Sequence, residues 1–162
     1  MMKSHGKTRG GFSLAEMIVV CVIMGIAAAM VIPSAVGTTD LQARAAAQAM
    51  AGDLEYAQNL AVVTQADVAV AFSLTGNRYS ISNASGVLKH PMTKKDFIVV
   101  FDKTNGYGNV RMTSISFGVP SMVTFNALGA PYQDGSVGLL AGTHAYTITV
   151  APVTGRISAT SP

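Results

Sequence analysis

The chain is basic for its first eleven residues and then turns apolar. From Met17 to Ile32 no side chain is polar, and the apolar tract extends from Phe12 to Val36 with Ser13, Glu16 and Ser34 as its polar interruptions. As a helix rising about 1.5 Å per residue, Phe12 to Val36 reaches roughly 37 Å, enough for a hydrocarbon core of about 30 Å. The pattern therefore predicts a transmembrane helix. Lys3, Lys7 and Arg9 before it predict a cytoplasmic N-terminus with the remainder of the chain across the membrane. A secretory signal peptide and a plain signal anchor share the basic start and apolar run, but Glu16 intrudes near the beginning of the tract.

After Pro33 and Gly37 the texture becomes that of an amphipathic helix, LQARAAAQAMAGDLEYAQNLAVV. Leu41, Ala45, Ala49, Gly52, Tyr56, Leu60 and Val63 recur at spacings of three and four, which predicts that they share the face packed on a sheet. Arg44, Gln48, Asp53, Glu55 and Gln58 would flank or oppose that face, with Asp40 and Arg44 as an i,i+4 pair. Pro33 favours a bend without ending the helix.

From about Val68 short β-prone runs alternate with turn chemistry: VAVAFSL, RYSI, FIVVF, VRMTSISF, MVTF, SVGLL and YTITV. Thr75-Gly76-Asn77, Asn105-Gly106, Gly108-Asn109, Gly129 and Thr154-Gly155 suit the connecting turns. Phe97 to Phe101 shows little alternation, which predicts a central strand or one covered on both faces. Tyr146, Ile148 and Val150 alternate with Thr147 and Thr149, the pattern of one buried face. The expected fold is α+β, a long N-terminal helix whose first half is transmembrane and whose second half packs on a mainly antiparallel β-domain. The expected divisions are a leader at 1–11, the membrane helix at 12–36, its amphipathic continuation at 37–66 and the β-domain at 67–162.

Composition sharpens this picture. Across 162 residues, charged side chains are 12% and hydrophobic ones 49%, and the formal net charge is +3. The excess charge belongs entirely to Lys3, Lys7 and Arg9, because the rest of the chain balances its basic and acidic residues. No basic stripe remains to hold a nucleic acid; Lys89, Lys94 and Lys95 form a small cluster that suits a solvated rim. His5, His90 and His144 are isolated, and Asp96, Asp102 and Asp134 have no spacing tied to a mechanism. With no nucleophile elbow or phosphate loop either, no enzyme, metal or cofactor is expected. Cys21, the single cysteine, lies in the apolar tract and cannot form an intrachain disulfide.

The junction RGGFSLAEM resembles the class III signal of type IV pilins and type II secretion pseudopilins, carried by Gly11, Phe12, Leu14, Glu16 and the hydrophobic run behind them. The resemblance implies cleavage between Gly11 and Phe12 by prepilin peptidase and N-methylation of Phe12. It also implies that Glu16 sets subunit register in a filament by pairing with a terminal amine, and that Pro33 loosens the helix on assembly. FIVVFD, VTFNALGAP and ITVAPVTGRI resemble the strand and turn signatures of the GspH/FimT class of minor pseudopilins and minor pilins, with Gly129, Gly155 and Arg156 as turn residues. The partners implied are prepilin peptidase, other pseudopilins or pilins, and an inner-membrane assembly platform. The implied location is the bacterial inner membrane, single-pass, and then the filament. The other readings are a monomeric membrane-anchored binding protein with an extracytoplasmic β-domain, or a DNA-capturing minor pilin.

Overall fold

The computed structural model describes residues 13–36 and 38–161. The contacts divide the chain into helix α1, Leu14–Val36, and a unit that begins at Thr38. That unit starts with α2, Thr38–Thr64, and continues through nine strands: β1 Val68–Ser73, β2 Arg78–Asn83, β3 Gly86–Val87, β4 Ile98–Val100, β5 Val110–Ile115, β6 Met122–Phe125, β7 Gly135–Ala141, β8 His144–Val150 and β9 Ile157–Thr160.

The α+β class holds, but the membrane-spanning half of the helix does not. Among the described residues no helix is long and apolar enough to cross a membrane. The single-pass inner-membrane placement expected from the sequence is corrected with it.

The strands form two antiparallel sheets. In the first, β1 lies between β6 and β2, and β2 pairs on its other edge with β3 and β4. The second has the order β5-β7-β8-β9. Period-two alternation directs Val68, Val70 and Phe72 of β1, Tyr79 and Ile81 of β2, and Val123 and Phe125 of β6 inward. The second sheet contributes Val110, Met112, Val137, Leu139, Ala141, Ile148 and Val150. Phe117, which follows β5, stacks on Phe72 of β1 with ring centroids 5.3 Å apart, joining the two sheets.

Helix α2 packs on strands of both sheets through Ala43, Ala46, Ala47, Met50, Leu54, Ala57 and Ala61. This face is not the one that the spacing of larger residues predicts. Leu41 is 66% exposed and Val63 79%, Ala45 and Gly52 are also exposed, and Tyr56 and Leu60 pack only along the flank. Five of the seven buried positions are alanine, which lets the helix backbone come close to two sheets at once. Phe97 to Phe101 is likewise corrected from a central strand to an edge. Its ends Phe97 and Phe101 are buried while Ile98 is exposed, and β4 pairs with β2 alone. The expected Asp40–Arg44 pair is replaced by one between Asp40 and His144, at 3.5 Å.

Two polar tethers cross the core. Asn77, in the turn before β2, donates through Nδ2 to the carbonyls of Phe101 and Val110 at 2.8 and 2.9 Å, and its Oδ1 accepts from the Met112 amide at 2.8 Å. The buried Tyr79 hydroxyl donates to Asp53 Oδ2 of α2 at 2.6 Å. Burial raises the Asp53 carboxyl above its ordinary value, against the lowering effects of the Tyr79 hydrogen bond and of His90. The folded state therefore binds this proton more readily than the unfolded chain. The resulting stabilisation is complete below the ordinary aspartate value of 3.8 and is lost as pH rises through the raised folded value. Asp53→Asn keeps an acceptor for Tyr79 without the charge. In thermal unfolding followed by circular dichroism it should melt above the parent at pH 7, with the gap closing in acid.

Candidate functional site

The residues singled out by sequence fall into two groups. Gly11 and Phe12 lie outside the described residues. Pro33 falls within α1, and its side chain is not among those described. Leu14 and Glu16 occupy the first turn of α1. Ser13 caps this turn: its Oγ accepts from the Ala15 amide at 3.3 Å and its carbonyl from the amides of Glu16 and Met17. A carboxylate in this first turn meets the favourable end of the helix dipole. Among the described ion pairs, Glu16 takes part in none.

Behind Glu16, Met17, Ile18, Val19 and Val20 are all exposed, as are Val22, Ile23, Met24 and Ile26. Successive helical residues step by about 100°, so four consecutive apolar residues leave no polar face. A helix of this kind is stable only when another apolar surface covers it.

The second group lies at the C-terminal end of α2, where Gly129 and Gly155 meet. Residues 126–130 form the turn after β6, in which Asn126 Oδ1 accepts from the amides of Leu128 and Ala130, and the Gly129 amide donates to the Asn126 carbonyl at 2.8 Å. Residues 151–156 form the turn between β8 and β9, in which the Gly155 amide donates to the Ala151 carbonyl at 3.1 Å. The two turns belong to different sheets, and Gln58 of α2 joins them: its Nε2 donates to the carbonyls of Gly129 at 2.7 Å and Thr154 at 3.2 Å. Arg156 is exposed and engages through its backbone, its amide donating to Thr154 Oγ1 and its carbonyl accepting from Ala151.

Sequence reasoning identified the two glycines as turn residues and placed Gln58 flanking or opposite the packed face of the helix, without a role. The available signal was Asn126 at the head of NALGA, a residue type that closes its own turn. Of the other polar residues, His90, Lys95 and Asp96 border one cleft, while Asp102, Asp134 and His144 lie outside it. Lys89 pairs with Asp96, Asp102 accepts from the Asn105 amide at 3.0 Å, His90 lies between β3 and β4 of the first sheet, and His144 opens β8 of the second. Among the described residues no His, Cys, Asp and Glu group could hold a metal ion.

Comparison with known proteins bears on both groups. The family model for the prokaryotic N-terminal methylation motif matches residues 6–32, and that for the Type II transport protein GspH matches residues 46–155. No curated protein matches. Among solved structures, the minor pseudopilin EpsH from the Type 2 Secretion System of Vibrio cholerae aligns with a TM-score of 0.58 at 13% identity, covering 75% of this chain and 98% of that one. A second structure of that EpsH gives 0.57 at 11% identity, with coverage of 76% and 98%. The type IV minor pilin FimU of Pseudomonas aeruginosa gives 0.52 at 20% identity, with coverage of 74% and 92%. At these identities the likeness is one of fold.

Proposed function

Because the chain belongs to the Type II transport protein GspH family, we propose that it is a minor pseudopilin or minor pilin, a structural subunit built into a filament after proteolytic processing. The observation that carries this reading is α1, an exposed helix apolar on every side that overlaps the matched methylation motif. In this reading prepilin peptidase cuts between Gly11 and Phe12, Phe12 is N-methylated, and α1 is then covered by the equivalent helices of neighbouring subunits. Glu16 is the one acidic or basic side chain in the described part of α1. Surrounded by apolar helices it needs a cation, and the newly released amine of a neighbouring Phe12 is of the right charge. Leu14 and Pro33 act in the same packing, Leu14 as an exposed contact and Pro33 as a point of adjustment. The β-domain, with its two turns joined by the Gln58 clamp on the Gly129 and Thr154 carbonyls, is carried on the filament surface or at its tip.

N-terminal sequencing of the mature protein tests the processing step. A uniform start at methylated Phe12 is expected, and a mature population retaining Lys3 through Arg9 would sink the proposal. Glu16→Ala separates processing from assembly. The variant should be cut normally yet fall by at least about tenfold in the filament fraction, the effect of about 1.4 kcal/mol in incorporation. Undiminished incorporation would remove Glu16 from the mechanism.

A further inference from the structure

Away from both groups, a cleft of about 440 Å³ opens between α2, β4 and the loops on either side of β4. Asp53 of α2 and Tyr79 of β2 contribute to its lining, with His90 and Lys95 from one loop and Tyr107 from the other. Ala49, Ile98 and Val99 make it partly apolar.

The charges of this cleft are unevenly matched. Asp96, its second carboxylate, is ion-paired with Lys89. Among the described residues Asp53 joins no ion pair within 4.0 Å, and its one hydrogen bond is the neutral donation from Tyr79 to Oδ2. A carboxylate drawn part of the way out of water, with His90 nearby but no cation in contact, is incompletely compensated. Burial raises the proton affinity of Asp53 by more than Tyr79 and His90 lower it, which agrees with incomplete compensation of its charge.

The walls are ordered around it. His90 Nδ1 accepts from the amides of Met92 and Thr93, and its ring packs 4.6 Å from that of Phe97. Tyr107 stands edge-on to Phe101 at 5.5 Å and 85°, which holds its ring in place. A held carboxylate, an aromatic wall and apolar sides together suit a planar cation on an aliphatic stem.

We propose that this cleft receives an arginine side chain from a partner protein, its guanidinium pairing with Asp53 and packing against Tyr107. The site is argued from the cleft alone. Its failure would leave processing at Gly11–Phe12 untouched, since N-terminal sequencing reads that step separately. Lys95 on the exposed rim opposes a second cation and limits the affinity.

The test is a titration of the ¹⁵N-labelled full chain in detergent with Nα-acetyl-arginine amide, followed by amide shifts. Saturable shifts at Asp53, in residues 90–96 and in residues 105–107 are expected, with a dissociation constant on the order of millimolar for so small a probe. Nα-acetyl-citrulline amide, of like shape but neutral, should bind at least about tenfold more weakly, as expected when a charge-assisted hydrogen bond is lost. Asp53→Asn should weaken the arginine probe by a similar factor, with a dispersed amide spectrum reporting its fold. Lys95→Ala should tighten binding by about two- to threefold through loss of like-charge repulsion. Equal binding of the two probes, unchanged binding to a folded Asp53→Asn, or the absence of saturable shifts at the cleft would each overturn the proposal.

Discussion

Gly155→Ala is expected to destabilise the β-domain by roughly 3–5 kcal/mol, through backbone strain and overpacking at one point. The backbone at Gly155 has φ +63°, where an alanine is disfavoured by about 1–2 kcal/mol. The added Cβ would stand 2.5 Å from Gln58 Nε2, 2.8 Å from the Gly129 carbonyl oxygen and 3.2 Å from Pro131 Cδ. Gln58 can move, but only by giving up its bonds to Gly129 and Thr154. The carbonyl of Gly129 is backbone and cannot yield without moving the turn. Urea unfolding should show a lower midpoint at unchanged slope. Introduced into Gln58→Ala, the same substitution should cost less, because the closest obstacle is gone. Strict additivity of the two would show that the glycine is needed for some reason other than the clamp.

Asn77→Ala is expected to cost about 2–4 kcal/mol, from three lost hydrogen bonds to partly buried backbone groups. The carbonyls of Phe101 and Val110 and the amide of Met112 would lose a partner at once. Asn77 also has φ +45°, which asparagine tolerates better than alanine. Two further variants separate these effects. Asn77→Gly relieves the backbone but leaves the three groups unpaired, so most of the loss should persist. Asn77→Asp preserves shape and can still accept from Met112, yet an ionised carboxylate cannot donate to the two carbonyls. It should be nearly as damaging as alanine in thermal or urea unfolding near neutral pH. A harmless Asn77→Asp would mean that donation across the sheets contributes little.

Much of the β-domain could be read directly from alternation. The inward row of Ile148 and Val150 in β8, with Thr149 exposed, follows the pattern visible in YTITV. Gly129 and Gly155 were legible as turns for a local reason, since NALGA and VTGR carry turn chemistry within a few residues. That these turns meet was not legible, because Gln58 is distant from both in the chain and resembles any polar helix residue. The orientation of α2 failed for a different reason. A reading that follows the largest apolar residues selects Leu41, Tyr56, Leu60 and Val63, whereas close packing between two sheets selects Ala43, Ala46, Ala47, Ala57 and Ala61. Size and burial part company wherever backbones must come near each other. FIVVF misled in the same way: β-propensity marks a pleated, half-buried position, and an edge segment anchored by Phe97 and Phe101 satisfies it as well as a central strand does. The apolar tract of α1 was legible as apolar directly from the sequence.

The Gln58 clamp also imposes an order in time. Its two acceptors lie 71 and 96 residues farther along the chain. Synthesis at about 5–20 residues per second puts several seconds between the emergence of α2 and that of Thr154. During that interval the alanine face of the helix has only the earlier strands to rest on. A nascent chain can therefore assemble β1 and β2 against α2 but cannot close the clamp, so completion of the domain is postponed until translation has passed residue 154.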